Sequence, residues 1–308
     1  PLTEQIVAIC NARINVWEIR SGNLKSSTKL VSRGSSLSLL TCGQIVLRMA
    51  FNDEIMLFNP ETEEVKKVNI DGDVFSIEPL SNSQFAIARK QCIQVYNPKR
   101  SSIEFMMRGN NEPVFTMKYI EENNQLAASF NNDSIKIWSL VSTKCIITIK
   151  SSKGKIHADQ LLWNSPDQLI SISKVLKQIM VWEVIGKSYK ELSKLECNLC
   201  YIEKLVILSN DKLAILCVSQ CYQQAFYYNQ EIRVYNYKSH KQIVVKAVNS
   251  ASQRIDAGSL VKLSDEKLVY LLIDMSTQER LLTFWNHLEN CDFSLPFTLE
   301  NPGHLLFY

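Results

Sequence analysis

The cysteine spacing in residues 197–221 is the feature of this sequence that comes closest to a metal-binding pattern. Cys197 and Cys200 form a C-x-x-C pair, and 16 residues separate this pair from the C-x-x-x-C pair of Cys217 and Cys221. Two cysteine pairs at about this separation are typical of structural zinc sites.

The strand pattern around these cysteines argues against a four-ligand site. If Asn210-Asp211 forms a hairpin turn, residue 200 lies opposite 221 and residue 204 opposite 217. Cys217 is then about 13 Å from the other thiols, at roughly 3.3 Å per residue. We therefore interpret the cysteines as buried thiols and predict no bound metal. The alternative is a zinc site on Cys197, Cys200 and Cys221.

No other group of reactive residues has the spacing of an active site. The four histidines, His157, His240, His287 and His304, fall in different segments of the chain. The sequence contains neither the G-x-S-x-G motif of hydrolases nor the G-x-x-x-x-G-K-[ST] motif of nucleotide-binding loops. We therefore predict a protein that is not an enzyme and that needs no cofactor.

Composition narrows the class of partner. The chain has 308 residues, of which 46% are hydrophobic and 21% charged, and its net charge is +3. This charge is too balanced for a dedicated nucleic-acid or membrane binder. No apolar run approaches the roughly 20 residues that span a bilayer. Nine scattered cysteines and no secretory signal indicate a cytoplasmic protein, and the absence of an initial Met indicates part of a longer chain.

One short sequence pattern, which we call the repeated phrase, recurs seven times along the chain. The structural elements that it forms must position the candidate residues. The repeated phrase alternates apolar and polar residues and ends on an aromatic residue, as in RINVWE (13–18) and SIKIWS (134–139). The aromatic residues of the seven copies are Trp17, Phe58, Tyr96, Trp138, Trp182, Tyr235 and Trp285. Alternation of this kind, broken by turn residues, predicts β-strands.

Repeated units of this length predict a closed β-structure. Each unit contains about four short strands, which cannot bury a core alone, whereas a radial array of units can. We therefore predict an all-β fold, a seven-bladed β-propeller with four antiparallel strands per blade. Residues 1–308 would form this single domain, which we expect to be monomeric.

The fourth unit shows the clearest family resemblance. Residues 114–140, VFTMKYIEENNQLAASFNNDSIKIWSL, resemble a WD40 repeat, with Asn132-Asp133 in the turn and Trp138 closing the strand. The resemblance extends through all seven units and implies a divergent WD40-repeat propeller that acts as an intracellular protein-interaction scaffold. In such propellers the two termini share one blade, and here residues 305–308 would supply the strand that the first unit lacks.

One face of the predicted propeller is the best candidate for binding. We call it the top face, the end of each sheet at which the second strand turns into the third. Its loops contain the basic residues Arg89, Lys90, Arg108, Lys174 and Lys177. A long loop in the sixth unit adds Tyr222, Phe226, Tyr227 and Tyr228. Because aromatic residues are enriched in interface hot spots, we predict a peptide or partner domain here, acidic or phosphorylated.

Three other functions remain open at this point. One is an RNA or phosphoinositide binder, for which Arg89-Lys90 is the only adjacent basic pair in the top-face loops that comes near the required pattern. Residues 16–20, VWEIR, are similar to the W-[DE]-x-R signature of substrate receptors in cullin-RING ubiquitin ligases. Some propellers are hydrolases or lactonases with a metal or carboxylate pair in the central channel. The residues that begin the third strands here are an assorted set, which favours the scaffold over the enzyme.

Overall fold

The structure is a computed structural model. It describes residues 5–10, 12–18, 23–30, 34–49, 54–70, 72–108, 112–131, 134–150, 156, 158–164, 167–196, 201–208, 211–220, 228–239, 241–248, 253–255, 260–262, 267–274, 277, 280–286, 288, 291–296 and 302–307.

The described part of the chain is all-β, apart from one 3-10 turn at Glu121–Asn123. Its first fifteen strands are β1 (Gln5–Cys10), β2 (Arg13–Glu18), β3 (Leu24–Lys29), β4 (Gly34–Leu39), β5 (Ile45–Met49), β6 (Ile55–Phe58), β7 (Val65–Val68), β8 (Ser76–Pro79), β9 (Phe85–Ala88), β10 (Cys92–Asn97), β11 (Ser102–Arg108), β12 (Val114–Ile120), β13 (Gln125–Phe130), β14 (Ser134–Ser139) and β15 (Cys145–Lys150).

Fourteen more strands complete the described part of the chain. They are β16 (Gln160–Asn164), β17 (Gln168–Ser173), β18 (Gln178–Ile185), β19 (Ser188–Glu196), β20 (Tyr201–Ile207), β21 (Lys212–Gln220), β22 (Tyr228–Asn236), β23 (Lys241–Val248), β24 (Gln253–Ile255), β25 (Val261–Lys262), β26 (Leu268–Asp274), β27 (Arg280–Asn286), β28 (Cys291–Pro296) and β29 (Pro302–Phe307).

These strands form antiparallel sheets of nearly constant size. Six sheets have four strands, in the orders β29-β1-β2-β3, β4-β5-β6-β7, β11-β10-β9-β8, β12-β13-β14-β15, β16-β17-β18-β19 and β20-β21-β22-β23. A further sheet has the order β24-β26-β27-β28 with β25 also paired to β26. We number them from first to seventh in chain order. In the first sheet, β29 pairs with β1, so that Ile6 lies opposite Phe307 and Ile9 opposite His304.

The repeated phrase occupies the same place in every one of these sheets. Each of its seven aromatic residues lies on the third strand, counted from the edge formed by β29, β4, β8, β12, β16, β20 or β24. In four sheets the register with the fourth strand shifts at this aromatic, at Trp17, Tyr96, Trp138 and Tyr235. An extra residue on the fourth strand increases the local twist, as β-bulges do.

The prediction of four strands in every unit is wrong for the seventh sheet. β24 pairs with Asp274, Ile273 and Leu272, whereas β25 pairs with Val269 and Leu268. The other edge of β26 is paired with β27 from Leu268 to Ile273. β24 and β25 therefore follow one another along a single edge, and five residues (256–260) separate them where β26 has only two. The edge position that one first strand fills in the other sheets is therefore filled here by two strands, β24 and β25, which gives the sheet five strands.

The chain forms two compact units. The first contains residues 1–166, 186–189 and 300–308, and the second contains 167–185 and 190–299. In the first unit, the innermost strands of consecutive sheets lie side by side, β29 beside β4, β8 beside β12 and β12 beside β16. This is the β-propeller arrangement of blades.

Apolar residues fill the space between consecutive sheets within each unit. In the first unit, Val7 and Ile14 of the first sheet pack with Leu47 and Phe58 of the second. In the second unit, one cluster joins the sixth and seventh sheets and includes the fully buried Trp285. Removing this apolar surface from water is the main stabilising term, at about 25 cal/mol per Å².

Candidate functional site

Four of the nine residues that were predicted to bind a partner lie in described turns between second and third strands: Arg89, Lys90, Lys174 and Lys177. The five basic residues are described with their side chains. Tyr222, Phe226 and Tyr227 lie outside the described residues, and for Tyr228, which begins β22, only the backbone is described. Binding by these residues therefore stays a prediction.

Arg89 is buried and bound to its own chain. Arg89 follows directly after β9, and only 6% of the residue is exposed. Its Nη1 donates to the backbone carbonyls of Gly72 and Asp73, the latter at 3.0 Å, and its Nε donates to Gln94 Oε1 at 3.1 Å. Arg89 therefore holds the segment that leads into β8 against β9 and β10.

The segment held by Arg89 has a second arginine contact and a special backbone position. Arg48 Nη1 donates to the carbonyl of Phe75 at 2.9 Å. Gly72 has a φ of +90°, which residues with a Cβ rarely adopt, and such a Cβ would lie 3.6 Å from Arg89 Nη1. Two arginines and one glycine thus fix residues 72–75 at the top face of the first unit.

Lys90 and Arg108 are exposed at the same end of the third sheet. Arg108 lies opposite Cys92, the first residue of β10. Burial raises the pKa of the Cys92 thiol, and the nearby charges of Arg89 and Arg108 lower it without offsetting burial. Cys92 is therefore a protonated thiol at neutral pH and lacks the thiolate character of a nucleophile.

A more accessible group of residues lies in the second unit, which we call the Lys–Tyr cluster: Lys174, Val175, Lys177, Tyr201 and Lys204. The turn 174–177 joins β17 to β18, and Tyr201 begins β20. Lys177 Nζ lies 4.3 Å from the centroid of the Tyr201 ring, within the range of a cation–π contact. The turn and the start of the next sheet therefore meet at one place.

The apolar members of the Lys–Tyr cluster face solvent. Val175 is 71% exposed and Tyr201 49% exposed. The turn that presents Val175 is fixed, because the backbone N–H of Leu176 donates to Ser173 Oγ at 3.0 Å. Lys177 has a φ of +52°, in the left-handed region. A hydrogen-bonded turn thus presents an apolar side chain to water beside cationic ones.

Lys204 adds charge at the base of the cluster. Burial lowers the pKa of Lys204, and the like charge of Lys174 lowers it further. Lys204 is on the first strand of the sixth sheet and lies opposite Leu216. The charge of Lys174 in the fifth sheet therefore acts on Lys204 in the sixth.

The cysteine geometry differs from the prediction. Ile202, not Lys204, lies opposite Cys217, because Ile207 already pairs with Leu213 rather than with residue 214, and the register shifts by one more residue between Ile202 and Lys204. Glu203 is the extra residue, and it allows both Ile202 and Leu205 to be buried. Cys217 itself is 1% exposed. Cys197, Cys200 and Cys221 lie outside the described residues, so the zinc alternative is untested.

The described ranges contain neither a metal-binding cluster nor a membrane-spanning helix. Among those residues, no group of three or more His, Cys, Asp or Glu side chains is arranged to hold a metal ion. Across the same ranges, no helix has the length and apolar character needed to cross a bilayer.

Sequence reasoning missed three members of the Lys–Tyr cluster, Val175, Tyr201 and Lys204. The signal was present in the repeat, because the strand that begins each sheet starts at the end where the preceding sheet turns from its second to its third strand. Comparison of the sequence with protein-family models and with curated proteins finds no match for this chain.

Proposed function

We propose that this protein is a non-catalytic interaction scaffold, built as a closed seven-bladed propeller of the WD40 type. Its top face would bind a peptide or a partner domain. The Lys–Tyr cluster is the observation that carries the functional part of this proposal.

Three features support the closed propeller. The repeated phrase falls on the third strand of all seven sheets. The interrupted edge of the seventh sheet, once β24 and β25 are taken as one broken strand, gives it the same four positions as the others. The pairing of β29 with β1 brings the end of the described chain to its beginning, as a blade shared by both termini requires.

The exposed chemistry supports binding. Aromatic and apolar side chains combined with cations are the residues that contribute most at protein interfaces, where they lose water on contact. Val175 and Tyr201 are well exposed, yet the turn and the cation–π contact already restrict them. A partner would therefore bury them with little further loss of conformational freedom.

Site-specific photo-crosslinking tests this proposal. The photoreactive residue p-benzoylphenylalanine replaces Val175 in one variant and Val141 in a matched control, and each variant is irradiated in lysate of the source cell. Val141 is also an exposed valine in a hairpin turn, 80% exposed, but between a third and a fourth strand.

The proposal expects discrete cross-linked proteins at position 175 that the control does not give. Equal cross-linking at both positions, or none at position 175, would overturn the assignment of binding to the top face of the second unit.

A further inference from the structure

We infer that the Lys–Tyr cluster binds an acidic peptide segment, one in which carboxylates flank an apolar side chain. The inference deepens the proposed function and rests on it. It names the chemistry of the partner at this site.

Charge is the first argument. Lys174 and Lys177 lie in one turn, Lys177 Nζ lies 4.3 Å from the ring of Tyr201 in the next sheet, and Lys204 follows Tyr201 on the same strand. A carboxylate beside these ammonium groups would be attracted to each of them. Burial around Lys204 lowers the local dielectric, so an added negative charge interacts there more strongly than at an open surface.

The apolar members give the second argument. Val175 projects from the same turn as the two lysines, and the Tyr201 ring has Lys177 over its face. A purely ionic ligand, such as free phosphate, would leave both side chains in water. A peptide with an apolar residue between its carboxylates satisfies the charges and covers this surface as well.

The identity of the cations favours carboxylates over phosphate esters. The defined cluster contains lysines and no arginine, and lysine presents a compact point charge rather than the planar fork that pairs with phosphate in two hydrogen bonds. Several separate lysines match several separate carboxylates along a chain.

Fluorescence anisotropy with the full chain tests the inference. The probe is a fluorescein-labelled peptide in which glutamates surround a central leucine. Two comparison peptides replace either the glutamates by glutamines or the leucine by serine. The protein variants are Lys174→Gln/Lys177→Gln and Val175→Ser. The matched controls are Lys99→Gln/Lys144→Gln, which removes the same charge from exposed turns of the other kind, and Val141→Ser.

The inference expects the glutamate–leucine peptide to bind more tightly than either comparison peptide. The double lysine variant should weaken binding about tenfold and Val175→Ser about threefold, whereas the controls change it less than about twofold. Equal loss in the two double lysine variants would show attraction by net charge alone and overturn the inference. So would complete displacement of the probe by an equal concentration of inorganic phosphate.

Failure of this inference is distinguishable from failure of the proposed function. If photo-crosslinking at position 175 captures a partner and the acidic peptide does not bind, the scaffold function stands and the acidic specificity is wrong. If neither occurs, both are wrong.

Discussion

Glu78 and Lys118 form an ion pair between the first strands of two neighbouring sheets. Lys118 Nζ lies 2.9 Å from Glu78 Oε1, and the same oxygen accepts the backbone N–H of Tyr119 at 2.9 Å. The Glu78 side chain is 14% exposed. One carboxylate therefore joins β8 to β12 through a charge and a backbone hydrogen bond together.

Replacing Glu78 should show how much this junction contributes to stability. We expect Glu78→Ala to lower the free energy of unfolding by about 2 kcal/mol, because it leaves a backbone donor and a lysine without their acceptor. Glu78→Gln should cost less, since an amide oxygen still accepts from Tyr119. Urea denaturation measures both. Glu104→Ala, which breaks the exposed pair with Arg100, serves as control and should cost under about 0.5 kcal/mol.

Replacing Arg89 tests whether this residue stabilises the fold. We expect Arg89→Met to destabilise the protein by about 2–3 kcal/mol, because it leaves the carbonyls of Gly72 and Asp73 without their donor. The exposed neighbour variant Lys90→Met should change stability by less than about 0.5 kcal/mol. Thermal unfolding gives both values. A stable Arg89→Met protein would show that the guanidinium is not needed to hold this segment.

Tyr237 is a second buried junction, within the second unit. Its hydroxyl lies 2.6 Å from Gln168 Oε1 and 2.7 Å from Asp211 Oδ1, and the residue is 1% exposed. We expect Tyr237→Phe to cost about 1–2 kcal/mol, measured by chemical denaturation. Tyr189→Phe, at an exposed tyrosine, is the control. An equal cost at both positions would contradict a special role for Tyr237.

The acid side of the stability profile should depend on Asp211. Burial raises its pKa, but hydrogen bonds from Lys238 and Tyr237 and the charge of Lys238 hold the pKa below its ordinary value. The stabilisation is therefore present above the pKa of an unfolded aspartate and is lost as pH falls through the folded value. In Asp211→Asn, urea midpoints measured from pH 6 downward should fall less steeply than in the wild type.

Lys204 should lower the free energy of unfolding at neutral pH. Because burial and Lys174 depress its pKa, the folded state binds fewer protons than the unfolded state at alkaline pH, and stability rises with pH there. We expect Lys204→Met to be more stable than the wild type by about 0.5–1 kcal/mol at neutral pH, with the difference shrinking toward the ordinary lysine pKa. Parallel denaturation curves at neutral and alkaline pH check this. A less stable Lys204→Met would contradict it.

The third strands could be predicted from the sequence because their pattern is local. Residues 134–139 alternate apolar and polar positions around Trp138, and this strand is buried along most of its length. The first strands were less predictable. Ile202 and Leu205 are both buried although they are three residues apart, and only the bulge at Glu203 reconciles this spacing with a strand. The local sequence pattern does not predict the bulge at Glu203.

The same distinction applies to the candidate site. Lys174 and Lys177 could be identified from their turn, because turn residues have a fixed place in each repeat. Tyr201 could not be distinguished in the sequence from other strand residues, because its contact with Lys177 joins two different sheets. Arg89 had the same charge and the same kind of turn as the exposed lysines, but its length lets it reach carbonyls of the preceding segment, which composition does not reveal.

The segment between β24 and β25, which both pair with one edge of β26, is a place where we expect the chain to accept inserted residues. β24 and β25 each take their alignment from β26, so the number of residues between Ile255 and Leu260 is not tied to the alignment of either piece. We expect an epitope or a fluorescent reporter encoded at this point to leave the pairings of β24 and β25 with β26 unchanged.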